Sequence, residues 1–185
     1  MVAKDEYVIV LDFLPRGKAM DRKIEPIAQA IGEKFFNLLE VVIKEDKPVN
    51  VGDRIYIGDD KREHVKYIKS RINYAELTNF AKNEIEDAIR KLIDKDEKRF
   101  IDFFNRAGPI TTRLHSLELL PGIGKKHLWD IITERRKKPF ESFEELQKRV
   151  GMLPDPKKMI VKRIVEELKG TDRHRLFVAG GFRRR

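Results

Sequence analysis

The hydrophobic spacing changes near residue 73, and that change limits what the chain can fold into. Before it, short runs of strand formers alternate with turn residues. Tyr7–Leu14 is one such run and stops at Pro15, followed by the basic turn Arg16-Gly17-Lys18. Phe35–Ile43 predicts a second strand, with a start as early as Ala28 if Gly32 is a kink or bulge. Gly52-Asp53 predicts a turn into a third strand, and His64–Ile72 predicts a fourth.

From Tyr74 the period becomes helical. Leu77, Phe80, Ala81, Ile85, Ala88, Ile89 and Leu92 form one stripe of a helix ending near Ile93, with Thr78 or Asn79 as its cap. A second helix, Glu97–Ala107, stops at Gly108-Pro109. Its Phe100, Ile101, Phe103 and Phe104 read as core rather than as a base-stacking platform. Four shorter helices follow near Arg113–Leu119, Lys125–Lys137, Phe143–Val150 and Lys157–Leu168. Ser142 with Glu145 three residues later is a capping-box pattern. At the end, Leu176–Ala179 suits a strand returning to the N-terminal barrel, and Gly180-Gly181 with Arg183–Arg185 suits a basic tail.

The expected class is therefore α+β. A small N-terminal β-barrel, OB-like, occupies residues 1–73, although four strands are few for one. A helical connector covers 74–108, an all-α helix-hairpin-helix domain covers 109–170, and 171–185 hold the returning strand and tail.

Charge narrows the function. The chain of 185 residues carries a net charge of +9. Residues 109–185 hold 19 lysines and arginines against 10 aspartates and glutamates, whereas 1–108 hold 21 of each. The whole excess thus sits in the C-terminal part, which points to a polyanion met there. Absence of cysteine excludes disulfides, thiol catalysis and cysteine-ligated metals. His64, His115, His127 and His174 have no metal-ligand spacing, and no phosphate loop or dinucleotide fingerprint occurs. We expect no cofactor, no metal, no enzymatic activity and no membrane span, with a cytoplasmic location. The 38% of charged residues, with glutamine at Gln29 and Gln147 alone, is the composition of a thermophile's protein.

The strongest local signal is Leu120-Pro121-Gly122-Ile123-Gly124-Lys125-Lys126. A short apolar segment runs into it and a helix leaves it. Gly122 and Gly124 can take positive φ and admit close backbone approach. Ile123 between them would plug the turn into the core. The helix starting near Lys125 would present free N–H groups at the turn, where an anion is favoured. Lys125 and Lys126 add charge at the same place. Such a grip holds one phosphate and reads no base.

This string resembles the helix-hairpin-helix family of nucleic-acid-binding modules. Leu120–Lys126 fits the family pattern position by position, while Leu128 stands where a smaller residue is common. The family often pairs two motifs, and 143–158 would supply the second. That segment lacks the Gly-apolar-Gly string, but Lys157 and Lys158 place charge at its turn. Arg135 and Arg136, at the end of the first motif's second helix, are further candidate phosphate contacts. The whole chain resembles an uncharacterised archaeal family joining a β domain to a helix-hairpin-helix pair. That resemblance implies nucleic-acid binding, and partners in translation or transcription, which favours RNA slightly over DNA.

Weaker basic groups occur in the β part. Arg16, Lys18, Arg22 and Lys23 form one, and Lys66, Lys69 and Arg71 beside Tyr67 form another, suited either to a single strand or to a solvated face. DNA-glycosylase and nuclease readings fail because KKPFESFEEL lacks the glycosylase pattern and Glu134-Arg135-Arg136-Lys137 lacks a following Asp. Sequence-tolerant backbone binding is thus the expected function. The alternative is a protein-interaction scaffold associated with the ribosome or RNA polymerase.

Overall fold

A computed structural model describes residues 4–179. The expected tail at 180–185 lies outside the described residues. The chain forms two compact units, one built from residues 4–88 with 166–179 and the other from Ile89–Val165.

The first unit is built on five antiparallel strands, β1 Tyr7–Leu14, β2 Ile27–Gly32, β3 Leu38–Ile43, β4 Arg54–Tyr56 and β5 Val65–Arg71. Their order is β4-β1-β2-β3-β5. The end strands β4 and β5 are not ladder partners, so the expected small barrel is an open, curled half-barrel sheet. Its curvature has local causes. Register shifts interrupt β1 between Val10 and Asp12, and interrupt the β3–β5 pairing twice. An extra residue in one strand bends it and increases its twist.

One face of the sheet buries Val8, Val10, Ala28, Ala30, Val41, Ile43, Ile55 and Val65. The other face of β2 and β3 is covered too, which is why every residue of β2 is buried. Polar groups on that face are matched rather than absent. Gln29 Nε2 donates to Glu40 Oε1 and to the Glu76 carbonyl, both at 3.0 Å, while Gln29 Oε1 accepts the Thr78 N–H at 2.8 Å. Lys18 forms an ion pair with Glu40. A buried polar group is tolerable only when satisfied in this way.

The second strand expected at Phe35–Ile43, with an early start at Ala28, is in fact two strands joined by a turn at 33–37. Gly32 is neither kink nor bulge but the end of β2. A Cβ there would lie 1.9 Å from the Asp5 carboxylate, so only glycine fits. Asp5 is buried and accepts the N–H groups of Lys34 and Phe35 at 2.8 and 2.9 Å. Those bonds stabilise the turn and let Phe36 adopt φ +56°.

The helix expected from Tyr74 begins later. Residues Tyr74–Glu76 form a 3-10 turn and α1 runs Asn79–Lys95. Thr78 caps it, its hydroxyl accepting the Ala81 N–H at 3.0 Å. The expected strand at Leu176–Ala179 is not a ladder strand. The N–H groups of Leu176, Phe177 and Val178 donate to the fully buried Glu167 carboxylate at 2.6, 3.1 and 2.9 Å. The Ala179 N–H reaches the Phe35 carbonyl at 3.2 Å. A carboxylate with three amide donors replaces a partner strand.

The second unit contains the end of α1, then α2 Glu97–Arg106, α3 Lys125–Lys137, α4 Phe143–Arg149 and most of α5 Pro156–Lys169. Phe100, Ile101 and Phe104 are buried, which favours their core reading. The helix expected at Arg113–Leu119 is only a 3-10 turn, Ser116–Leu119. An isolated bridge between Pro109 and His115 holds the preceding residues extended, so a longer helix cannot start. Ser142 caps α4 by accepting the Glu145 N–H at 3.1 Å, but Glu145 reaches back to the Glu141 N–H, one residue before the expected box position.

Candidate nucleic-acid interface

The turn between the 3-10 segment and α3 follows from its residue types. Ile123 N–H donates to the Leu120 carbonyl at 3.2 Å, closing a four-residue turn. Pro121 occupies its second position and Gly122, at φ +95°, its third. That is the distribution a type II turn demands. Leu120 and Ile123 are both buried, so the turn is anchored on its apolar residues.

The two glycines do different work. A Cβ on Gly122 would meet Pro154 at 3.4 Å and Met159 at 3.5 Å, so Gly122 packs against the second helix-turn-helix. Gly124 has φ −95° and ψ −173°, open to any residue, which corrects the expectation of positive φ there. A Cβ on Gly124 would meet nothing within 4 Å. Gly124 is the N-cap of α3 and provides no side-chain acceptor. The first N–H groups of a helix have no intrahelical partner, so at α3 they are available to an outside acceptor.

Charge around this terminus is partly neutralised. Lys125 Nζ lies 2.6 Å from Glu118 Oε1. The Lys125 ammonium, followed by the His115 N–H, holds the Glu118 carboxyl below the usual range. Lys126 is exposed and forms no ion pair among the described residues. His115 Nδ1 accepts the Leu117 N–H at 3.2 Å, which requires a neutral ring. Burial, reinforced by the Arg135 charge, lowers the His115 pKa.

The other candidates do not converge on this point. Arg135 turns inward and donates to the carbonyls of Phe104 and Ala107 at 3.1 and 2.7 Å, tying α3 to the end of α2. Arg136 is exposed but lies at the opposite end of α3, about 16 Å along the axis from Lys125. Lys157 forms an ion pair with Asp94. Lys158 is exposed at the start of α5.

The start of α5 differs from that of α3 in one decisive respect. Asp155 Oδ1 accepts the Lys157 N–H at 3.0 Å, with the Lys158 N–H at 3.4 Å. A carboxylate thus already occupies the place a phosphate would take. Asp155 was missed from the sequence. Its signal was an Asp directly before Pro156-Lys157-Lys158, an N-cap followed by proline at the first helical position.

Trp129, within α3, is a further residue that sequence spacing does not single out. It is 60% exposed. Lys126, Trp129, Thr133 and Arg136 recur at the spacing of one helix face, and all four are exposed.

In the β unit the two basic groups differ. Of the first, only Lys18 forms an ion pair among the described residues, with Glu40, while Arg16, Arg22 and Lys23 are exposed; the second is largely paired. Lys69 contacts Asp21 at 2.8 Å, Lys66 lies 3.6 Å from Glu25, and the Tyr67 hydroxyl donates to Glu25 at 2.5 Å. That bond is the main reason the Tyr67 pKa is raised. Arg71 Nη2 donates to the Ala179 carbonyl at 2.9 Å and bonds Asn37. A cleft of about 960 Å³ in the same unit is lined by Arg71, Tyr74, Lys169 and Arg175 among others. Among the described residues, no cluster of three or more His, Asp or Glu side chains suits a metal ion. None of their helices is long and apolar enough to cross a membrane.

Comparison with known proteins matches residues 4–179 to the family described as a protein of unknown function, DUF655. The chain belongs to this family. It is 43% identical over 176 residues to the uncharacterised protein MJ0038 of Methanocaldococcus jannaschii, covering 94% of this chain and 80% of that protein. The crystal structure of Af1531 from Archaeoglobus fulgidus, also assigned to DUF655, is similar at a TM-score of 0.87 and 48% identity. That match covers 95% of this chain and all of the other. The expected membership of an uncharacterised archaeal family therefore holds.

Proposed function

We propose that this DUF655 protein is a non-enzymatic, sequence-tolerant binder of nucleic acid, with RNA slightly favoured over DNA. The observation that carries this reading is the N-terminus of α3. It is capped by a glycine with open space where a side chain would stand, and exposed Lys126 lies beside it. Backbone N–H groups, the helix dipole and a cation act together on a phosphate at that point. We take the hairpin as a helix-hairpin-helix module and the curled sheet as OB-like. The strand cations Arg54, Lys66 and Lys69 are already paired with carboxylates, so the grip is assigned to the hairpin. A cytoplasmic location beside the translation or transcription machinery belongs to the same reading.

A second reading is a protein-interaction scaffold at the ribosome or RNA polymerase. Exposed Trp129 and Met152 favour it as apolar contact points. Fluorescence anisotropy with single- and double-stranded RNA and DNA probes at two salt concentrations separates the two. Each phosphate contact contributes roughly −0.7 to −0.9 to the slope of log K against log salt. Binding with a slope near −2 or steeper supports the first reading. No binding to any probe at low salt contradicts it and leaves the scaffold.

A further inference from the structure

We infer that the outer face of α3 is a base-stacking platform for a single strand, with Trp129 as the stacking residue. This rests on the hairpin reading and names the substrate class of that site.

Six residues of α3 lie on its exposed face: Lys125, Lys126, Trp129, Thr133, Arg136 and Lys137. At 100° per residue they share a sector of about 120°. Four are cations, two are neutral, and none is acidic. Asp130 and Glu134 fall on the flank and are half-buried. Glu134 lies 2.6 Å from Lys137 and 3.5 Å from Arg149. Lys126 and Arg136 have no ion pair among the described residues. The face therefore carries uncompensated positive charge.

Trp129 sits between those two cations. It lies about 4.5 Å along the axis from Lys126, and Lys126 to Arg136 spans about 15 Å. A stacked strand carries one charge per ~3.4 Å, so the face matches about four nucleotides. The indole is 60% exposed, so most of its surface faces solvent rather than the core. A solvent-facing aromatic flanked by cations fits a base stacked on the ring with phosphates on either side. A duplex keeps its base faces stacked inside and offers none to the ring, so it would use the hairpin and leave the indole unused.

The chain has one tryptophan, so its emission reports this residue alone. The test titrates the full chain with a twelve-nucleotide oligouridylate, an abasic strand of equal length and a twelve-base-pair duplex, following emission and anisotropy together. Stacking predicts quenched emission with oligouridylate and unchanged emission with the abasic strand and the duplex. Trp129→Ala should weaken oligouridylate binding about tenfold, Trp129→Phe should restore most of it, and duplex binding should not move. Oligouridylate binding without quenching, or equal loss of strand and duplex in Trp129→Ala, overturns the platform. If Gly124→Val then still abolishes binding, the hairpin reading survives that failure. Failure of the wild type to bind any probe overturns both.

Discussion

The two helix-turn-helix segments of the second unit have nearly the same frame and opposite chemistry. In both, a buried aliphatic enters the turn, Leu120 in one and Val150 in the other. Two residues later comes positive φ, +95° at Gly122 and +59° at Met152. A buried aliphatic follows, Ile123 or Leu153, and then a helix begins. The second turn is one residue longer. At its cap stands Asp155, where the first has Gly124. One helix therefore satisfies its own N-terminus with a carboxylate, and the other leaves it to solvent or to a ligand. Backbone similarity alone does not make a binding site, because the cap residue decides whether the amides are available.

The difference can be broken at four places. The largest effect is expected at Gly122→Val. A β-branched residue at φ +95° that also meets Pro154 and Met159 should destabilise the chain by about 2–3 kcal/mol. Urea denaturation reads this directly, and an unchanged midpoint would refute the assigned turn geometry. Next is Asp155→Ala, which removes the α5 cap. It should cost about 1 kcal/mol of stability while raising nucleic-acid affinity a few-fold, since a negative charge leaves the neighbourhood of Lys158. Affinity that falls would show that the two turns are not related in the way described.

Smaller again is Met152→Gly. The side chain is 90% exposed, so nothing is lost in packing, while positive φ is relieved. A gain of about 0.5–1 kcal/mol in the same denaturation assay is expected, the residual after glycine's greater chain entropy.

The smallest effect is in pH. Burial first, and the Arg135 charge second, lower the His115 pKa below its ordinary value of about 6.5. The folded state thus favours the neutral ring. That stabilisation is present above the unfolded pKa and is lost as pH falls through the lower folded value. Acidification should therefore loosen the Leu117 N–H held by Nδ1, seen as faster amide exchange of the 116–119 turn relative to α4. A His115 titration midpoint above the ordinary value would contradict this.

Much of the fold was readable because it follows from periodicity. The span of α3 matches the expected Lys125–Lys137, since the Gly-Ile-Gly string fixes its start and the basic run its end. The sheet was less readable. A covered second face makes β2 apolar throughout, which hides its boundary with β3, and the turn between them depends on Asp5, about 30 residues away in sequence. The site was readable as a turn but not as an electrostatic arrangement. Nothing local to Arg135 or Lys157 shows that one bonds carbonyls at the end of α2 and the other pairs with Asp94. Those partners are 28 to 63 residues distant, and only tertiary packing brings them close.

The open N-terminus of α3, proposed as the phosphate grip, is probed at its cap by Gly124→Val. The position has an ordinary backbone conformation and empty space around the missing Cβ, so the variant should fold with wild-type circular dichroism. Its branched side chain should obstruct the amides and lower probe affinity at least tenfold at low salt, with a shallower salt slope. Wild-type affinity and slope in a folded Gly124→Val variant would contradict that grip.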